Sequence, residues 1–157
     1  GIAEVLTAKL RGSRDEIRSA FGNLVFNAVR YTPAGGTITL AWRSGADGPT
    51  FTVTDTGIGI PAEYLPRLTE RFYRVDKGRA SAAGGTGLGL AIVKHVLARH
   101  GGTLHIQSVP GQGSTFSARL PADRILPGRG CLDRLAVRPS RPGRGDADGV
   151  PPSQEHL

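Results

Sequence analysis

Four glycines fall within six residues at the start of "GGTGLGLAIVKHVL" (84–97), and the apolar run behind them contains no further glycine. Glycine is a poor helix former, so its crowding at the mouth of a buried-looking helix points to something large and negatively charged that must approach the backbone. Exposed amides in a glycine-rich loop, together with a helix N-terminus, form an anion site. The stretch is not a P-loop, because GxxxxGK[ST] is absent. Nor is it a dinucleotide fingerprint, because the βαβ unit and its downstream acid are missing.

A second group lies on a helix. Asn23, Asn27, Arg30 and Tyr31 fall at i, i+4, i+7 and i+8, about a quarter turn from an apolar stripe. Asparagine is mildly unfavourable inside a helix because its amide competes for backbone hydrogen bonds. The row is either a solvated flank or one wall of a polar site. An Asn oxygen is a hard ligand suited to Mg²⁺, which keeps several waters and takes one or two protein ligands plus phosphate.

The third group is "DTGIGIP" (55–61). Asp55 ends a strand, and Gly57 and Gly59 let the chain turn sharply so that a flat group can lie against it. A carboxylate there is placed to accept from an exocyclic amine. The same residues also suit an Asx-type turn.

The elements that must hold these groups follow from periodicity. "EVLTAKLRG" alternates as a strand. "SRDE" is a capping box, with Ser13 accepting from the amide at N3 and Glu16 reaching back. A helix therefore starts near residue 14, with the apolar stripe Ile17, Ala20, Phe21, Leu24, Val25 and Ala28, and stops before Pro33. "TITLAWR" and "TFTVTD", joined by the turn-rich "SGADGP", read as a hairpin. Pro61 suits the first turn of a short helix over "AEYLPRL". "LTERFYRVDKGRASAAGG" has no sustained period and reads as a mobile connection. A second long helix is expected over about 88–99, ended by "HGG". A last hairpin lies within "TLHIQSVPGQGSTFSARLP". The order α-β-β-α-α-β-β predicts an α/β two-layer sandwich with helices on one face of the sheet.

Composition bounds the rest. The 157 residues fit one ordinary domain. Residues 1–121 carry 14 basic and 8 acidic side chains, and the remainder carries 6 and 5, within a net charge of +7. The basic balance suits a polyanionic ligand. Lys/Arg clusters with interleaved aromatics are missing, which argues against nucleic acid. One cysteine, Cys131, excludes an internal disulfide framework and a thiolate metal site. No stretch approaches the roughly 20 apolar residues needed to span a bilayer. Residues 122–157, rich in Arg, Gly and Pro, are expected to be disordered.

Taken together, "NLVFNAVRYTP", "DTGIGIP", "ERFYRVD" and "GGTGLGLAIVK" occur in this order at intervals of a few tens of residues. The series resembles the N, G1, F and G2 boxes of the catalytic, ATP-binding domain of bacterial sensor histidine kinases. The resemblance covers about residues 10–121, and "LPRLTERFYRVDKGRA" followed by "GGTGLGLAIVKHVLARHGG" is similar to the phosphate-sensing members. It implies a two-layer sandwich of a mixed, mostly antiparallel sheet covered by helices on one face. It implies ATP and Mg²⁺ as cofactors, with Asn27 holding the metal and Asn23 supporting metal or phosphates. Arg30 and Tyr31 would contact phosphate and pack beside the base. Asp55 would accept the adenine amino group, with Gly57, Gly59 and Ile60 around the ring. Phe72 would anchor a lid and Arg74 would meet the γ-phosphate. Gly85, Gly87 and Gly89, with Thr86 and Leu88, would form the hinge and phosphate cradle.

The reaction implied is transfer of the γ-phosphoryl group of ATP to a histidine imidazole, which depends on positioning and charge neutralisation. Asn23 stands where the related gyrase and mismatch-repair ATPases carry a glutamate that acts as general base. An amide cannot take that proton, so little intrinsic ATP hydrolysis is expected. The family's acceptor histidine lies on a preceding dimerisation domain. None of His95, His100, His105 and His156 stands in such a setting, so the chain is expected to be inactive alone and to look like a fragment that begins after that domain. Implied partners are the dimerisation domain and a response regulator, with no nucleic acid and no direct membrane contact. The implied location is the cytoplasmic side of the bacterial inner membrane, where the parent protein is anchored. The other readings are a non-catalytic nucleotide-binding regulatory module, or a serine kinase or ATPase of the same superfamily.

Overall fold

The structure, a computed structural model, describes residues 10–75, 87–124 and 133–137. The strand expected over 4–12 lies almost wholly outside them.

Ser13 is the N-cap of helix α1 (Arg14–Tyr31), its hydroxyl accepting from the Glu16 amide at 3.5 Å. Only this half of the expected capping box forms. The Glu16 carboxylate pairs instead with Arg99, 2.8 Å away, and the Ser13 N–H donates to Nε2 of His100 at 3.1 Å. A charged partner supplied by another helix outweighs the local return of the side chain. At the other end the Thr32 hydroxyl donates to the Ala28 carbonyl at 2.6 Å, and Pro33 prevents continuation.

Strands β1 (Ile38–Gly45) and β2 (Gly48–Asp55) form the first hairpin, with Gly45 opposite Gly48 across a two-residue turn. A 3-10 segment, Ala62–Arg67, follows Pro61. Helix α2 spans Gly89–Arg99, and strands β3 (Thr103–Val109) and β4 (Gly113–Arg119) form the second hairpin. β4 also pairs with β2, and the sheet order is β3-β4-β2-β1-β5, with β5 spanning Asp133–Val137. All four described pairings are antiparallel.

Strand alternation sends Ile38, Leu40, Trp42, Phe51, Val53, Phe116 and Ala118 into the core. Ala20, Phe21, Leu24 and Ala28 of α1 meet them, with Val93, Val96 and Leu97 of α2. Phe21 stacks on Phe51 with 4.3 Å between ring centres. The two helices pack on each other and on the sheet, giving an α/β two-layer sandwich. Between the layers, the end of α1, the end of β2 and the start of α2 converge.

Two short pieces of the tail are among the described residues. Ala122–Arg124 form a 3-10 turn, and β5 pairs with β1 in the register Ile38↔Val137 to Trp42↔Asp133. The free backbone groups of the β1 edge offer a template that composition alone does not reveal. Among the described residues no helix is long and apolar enough to cross a membrane.

Candidate functional site

Where the three converge is a cavity of about 190 Å³. Of the residues singled out above, Asn23, Asn27, Arg30, Tyr31, Asp55, Gly59, Ile60, Arg74, Gly87 and Gly89 line it. Gly85 and Thr86 lie outside the described residues, with the rest of 76–86. Gly57, Phe72 and Leu88 are described but are not lining residues.

One end is built around Asp55, which is 5% exposed. Its Oδ1 accepts from the Gly57 amide at 2.8 Å and from the Ser114 amide at 3.3 Å. The Asx-type turn and the functional reading are therefore compatible: one oxygen makes the turn, and the carboxylate has a second oxygen. Burial pushes the Asp55 carboxyl above its ordinary range, and the two amides pull it partly back. Gly57 serves the packing of the chain. A Cβ there would strike the Tyr31 carbonyl and come within 2.8 Å of Asp55 Oδ1. The loop is held by Ile58 N–H donating to the Tyr31 carbonyl at 3.2 Å. Gly59, at φ +69, runs against the backbone of Val109.

The other end is polar and cationic. Asn23 Nδ2 donates to the Ser19 carbonyl at 2.9 Å, which orients the amide. Its Oδ1 faces Gly89 at the start of α2, where a Cβ would lie 3.0 Å from it. Asn27 is one turn further along the same face. Arg30 has a buried Nε with no hydrogen-bond partner among the described residues, and its guanidinium carbon lies 5.3 Å from the centre of the Tyr31 ring. From Asn23 to Tyr31 is eight residues of helix, or about 12 Å of rise, a span suited to an elongated ligand with a base at one end and a charged tail at the other.

These features test the fit of ATP and Mg²⁺. An orphaned guanidinium nitrogen invites an anion, an oriented Asn oxygen suits a hard cation, and a carboxylate at the far end suits an amine. The residues fit. Among the described residues there is no group of three or more His, Cys, Asp or Glu that would hold a metal by itself.

Phe72 stands at the edge of the site. Its side chain is 71% exposed, and it is its backbone that reaches across, its N–H donating to the Gly87 carbonyl at 3.0 Å. Phe72 sits at φ +62 and Gly87 at φ +72. Leu88 is the N-cap of α2, its carbonyl accepting from Ile92 N–H at 2.9 Å. Sequence reasoning missed eight lining residues, the apolar Phe26, Ile58, Leu68, Val75, Leu90 and Phe116 with Tyr73 and Ser114. Only Ser114 carried a usable signal, as a small polar residue on the inward register of β4.

Comparison with known proteins gives three kinds of match. The family described as "Histidine kinase-, DNA gyrase B-, and HSP90-like ATPase" matches residues 12–124. The phosphate regulon sensor protein PhoR of Pseudomonas aeruginosa is 63% identical over 117 residues, covering 74% of this chain and 26% of that protein. The mycobacterial sensor histidine kinase MprB has a similar solved structure, with a TM-score of 0.66 at 31% identity over 76% of this chain and 80% of that one. A full-length structure of ShkA in complex with AMPPNP gives a TM-score of 0.59 at 34% identity, over 68% of this chain and 21% of that one. The chain thus spans about a quarter of the length of the curated relatives it matches.

Proposed function

The chain belongs to the histidine kinase-, DNA gyrase B- and HSP90-like ATPase family, and from that membership we propose that it binds ATP with Mg²⁺ and transfers the γ-phosphoryl group to a histidine on a separate dimerisation domain. The observation that carries the reading is the convergence of Asn23, Asn27, Arg30 and Asp55 on one cavity.

Each residue then has a task. Asp55 accepts from the adenine amino group through the oxygen not taken by Gly57 and Ser114. Asn27 would be a ligand to Mg²⁺, and the oriented oxygen of Asn23 would support the metal or the phosphates. Magnesium, when bound, supplies charge neutralisation on the phosphate oxygens. Arg30 and Arg74 add positive charge at the polyphosphate, and the amides at the start of α2 add a partial positive end. In the transfer the bond from γ-phosphorus to its bridging oxygen breaks as a phosphorus–nitrogen bond to the imidazole forms. ADP leaves with the electron pair of the broken bond. Among the described residues no side chain at the polyphosphate end of the cavity serves as a strong base, which an imidazole nucleophile does not need. By the same logic Asn23 disfavours water as acceptor.

The sequence likeness to PhoR extends the proposal to phosphate-responsive signalling, with a response regulator receiving the phosphoryl group and the parent protein anchored at the inner membrane. The residues from 122 on are proposed to contribute nothing to the ATP site itself.

The test combines calorimetry with labelled ATP and a separately supplied dimerisation domain. Mg²⁺-dependent ATP binding followed by label on that domain's histidine is expected. Binding without transfer favours a regulatory nucleotide-binding module. Rapid hydrolysis without acceptor points to an ATPase of the same family and contradicts the role given to Asn23.

A further inference from the structure

Where α1 begins and α2 ends, opposite the helix ends that form the cavity, lies a buried histidine to which the proposed function gives no task. His100 is 5% exposed and is the C-cap of α2. Its Nδ1 lies 2.8 Å from the Val96 carbonyl. A carbonyl only accepts, so Nδ1 carries the proton and Nε2 keeps a lone pair. That lone pair accepts from the Ser13 N–H at 3.1 Å. The incoming chain also lies on the ring, since a Cβ on Gly12 would come within 2.7 Å of His100 Cδ2. The segment by which the chain enters the fold thus rests on one neutral imidazole.

A second partner stands beside the same nitrogen. Glu16 Oε1 pairs with Arg99 at 2.8 Å, while Glu16 Oε2 lies 3.9 Å from His100 Nε2. That is too long for a hydrogen bond, and a shift of about 1 Å would bring it to charge-assisted length. Glu16 on α1 and Arg99 on α2 are the charged groups that meet here. Among the described residues, neither Arg11 of the entering segment nor Asp123 and Arg124 of the adjoining turn bonds to the ring. Arg11 and Arg124 bond to each other's backbone instead, at 2.7 and 3.3 Å. His105 of β3 is exposed and faces Thr103.

Adding a proton reverses the role of Nε2. Both nitrogens of an imidazolium donate, so Nε2–H would face the Ser13 N–H, donor against donor. One of the two must turn away. Glu16 Oε2 is the acceptor within reach, and it brings a negative charge to the new positive one. Glu16 would then bridge the imidazolium and the Arg99 guanidinium, and the Ser13 amide would be left without an acceptor.

We propose that His100 is an acid-sensitive latch on the entering segment: neutral, it holds Gly12 and Ser13 against the fold, and protonated, it exchanges Ser13 for Glu16 and releases them. Imidazole is the side chain whose charge ordinarily changes between about pH 5 and 8. The release is local, because the Nδ1–Val96 and Glu16–Arg99 bonds exist in both states and keep α2 and α1 in place. The latch stands without the ATP reading. On that reading, the released segment is the one that leads toward the dimerisation domain, so acid would loosen the joint between nucleotide and acceptor.

The test is NMR of the His100 ring nitrogens and of amide exchange on the full chain, at about pH 8 and about pH 5.5. Exchange is expressed as protection relative to an unstructured amide at the same pH. On acidification Nε2 is expected to gain a proton and the Ser13 amide to lose protection by about tenfold or more. Amides of the central strands β2 and β4 should keep theirs. A ring that stays neutral overturns the proposal, as does a protonated ring with Ser13 still protected. Loss of protection at Ser13 and the central strands together is global unfolding and overturns it too. Glu16→Gln, which removes the charged acceptor, is expected to move the release to lower pH, and an unchanged release refutes the exchange of partners. His100→Gln, whose oxygen can accept from Ser13 without titrating, is expected to abolish the pH dependence, and a release that persists in it refutes the latch. Should either variant fail to fold, the unmodified chain decides alone.

Discussion

The N–H of Ser13 donates to Nε2 of His100 across 87 positions of sequence, at 3.1 Å. The imidazole is buried, and its Nδ1 lies 2.8 Å from the Val96 carbonyl. That carbonyl can only accept, so Nδ1 carries the proton and Nε2 is left as the acceptor for Ser13. One side chain thereby joins the N-cap of one helix to the C-terminal turn of the other, with no water needed in between.

Replacing His100 should therefore cost stability without touching the cavity. His100→Ala removes an acceptor from the Ser13 amide and leaves a void beside Gly12. A loss of about 2–4 kcal/mol is expected in chemical denaturation. A denaturation midpoint identical to that of the unmodified chain would contradict the role described.

Asp55→Asn separates binding from folding. The amide oxygen can still accept from Gly57 and Ser114, but the NH₂ would then face the adenine amine, donor against donor. ATP affinity should fall by about 10- to 100-fold while the melting temperature holds or rises, because the buried charge is gone. Unchanged ATP affinity in a folded variant refutes the assignment.

The same carboxyl sets a pH dependence. Its folded-state value is raised, so the folded chain holds this proton more tightly than the unfolded chain. Between the ordinary aspartate value and the raised one, the Asp55 contribution makes stability fall as pH rises. Asp55→Asn should remove that component of the stability profile. A profile unaltered by the substitution counts against the desolvation account.

Asn27→Ala should act through the metal. The deletion takes one oxygen from a cation that has few protein ligands, so ATP binding in Mg²⁺ should weaken about tenfold or more. Binding in EDTA should change little. An equal loss in both titrations would mean that Asn27 contacts the nucleotide and not the metal.

Two backbone positions give opposite expectations. Gly57→Ala drives a methyl group into the Tyr31 carbonyl and should destabilise by about 1–3 kcal/mol. Phe72→Asn should be neutral or stabilising by up to about 1 kcal/mol, because Asn tolerates φ +62 better than Phe and the ring is mostly exposed. Thermal melts of the two variants that moved in the same direction would contradict this pair.

Much of this was legible in the chain. The stripe from Ile17 to Ala28 specifies which side of α1 is buried, because helical period and hydrophobic burial act within one element. The alternation in "TITLAWR" and "TFTVTD" does the same for the first hairpin. The row Asn23, Asn27, Arg30 and Tyr31 and the run from Asp55 to Ile60 could be picked out because their residue types are locally out of place.

Tertiary structure alone decided what depends on distant partners. Glu16 was free by local rules to close its capping box, and only the arrival of Arg99 and His100 diverts it. That Gly57 packs against the Tyr31 carbonyl is decided by the fold. Ser108 looks like an ordinary strand residue, and only the β3–β4 pairing sets it opposite Ser114 at the base end. The β5 segment had no pattern to announce it, since its pairing depends on an edge made by β1. Sequence determines what each segment prefers through short-range sterics and solvation. Contacts between segments depend on the geometry of the whole, because two groups remote in sequence interact only after folding has met the entropy cost of bringing them together.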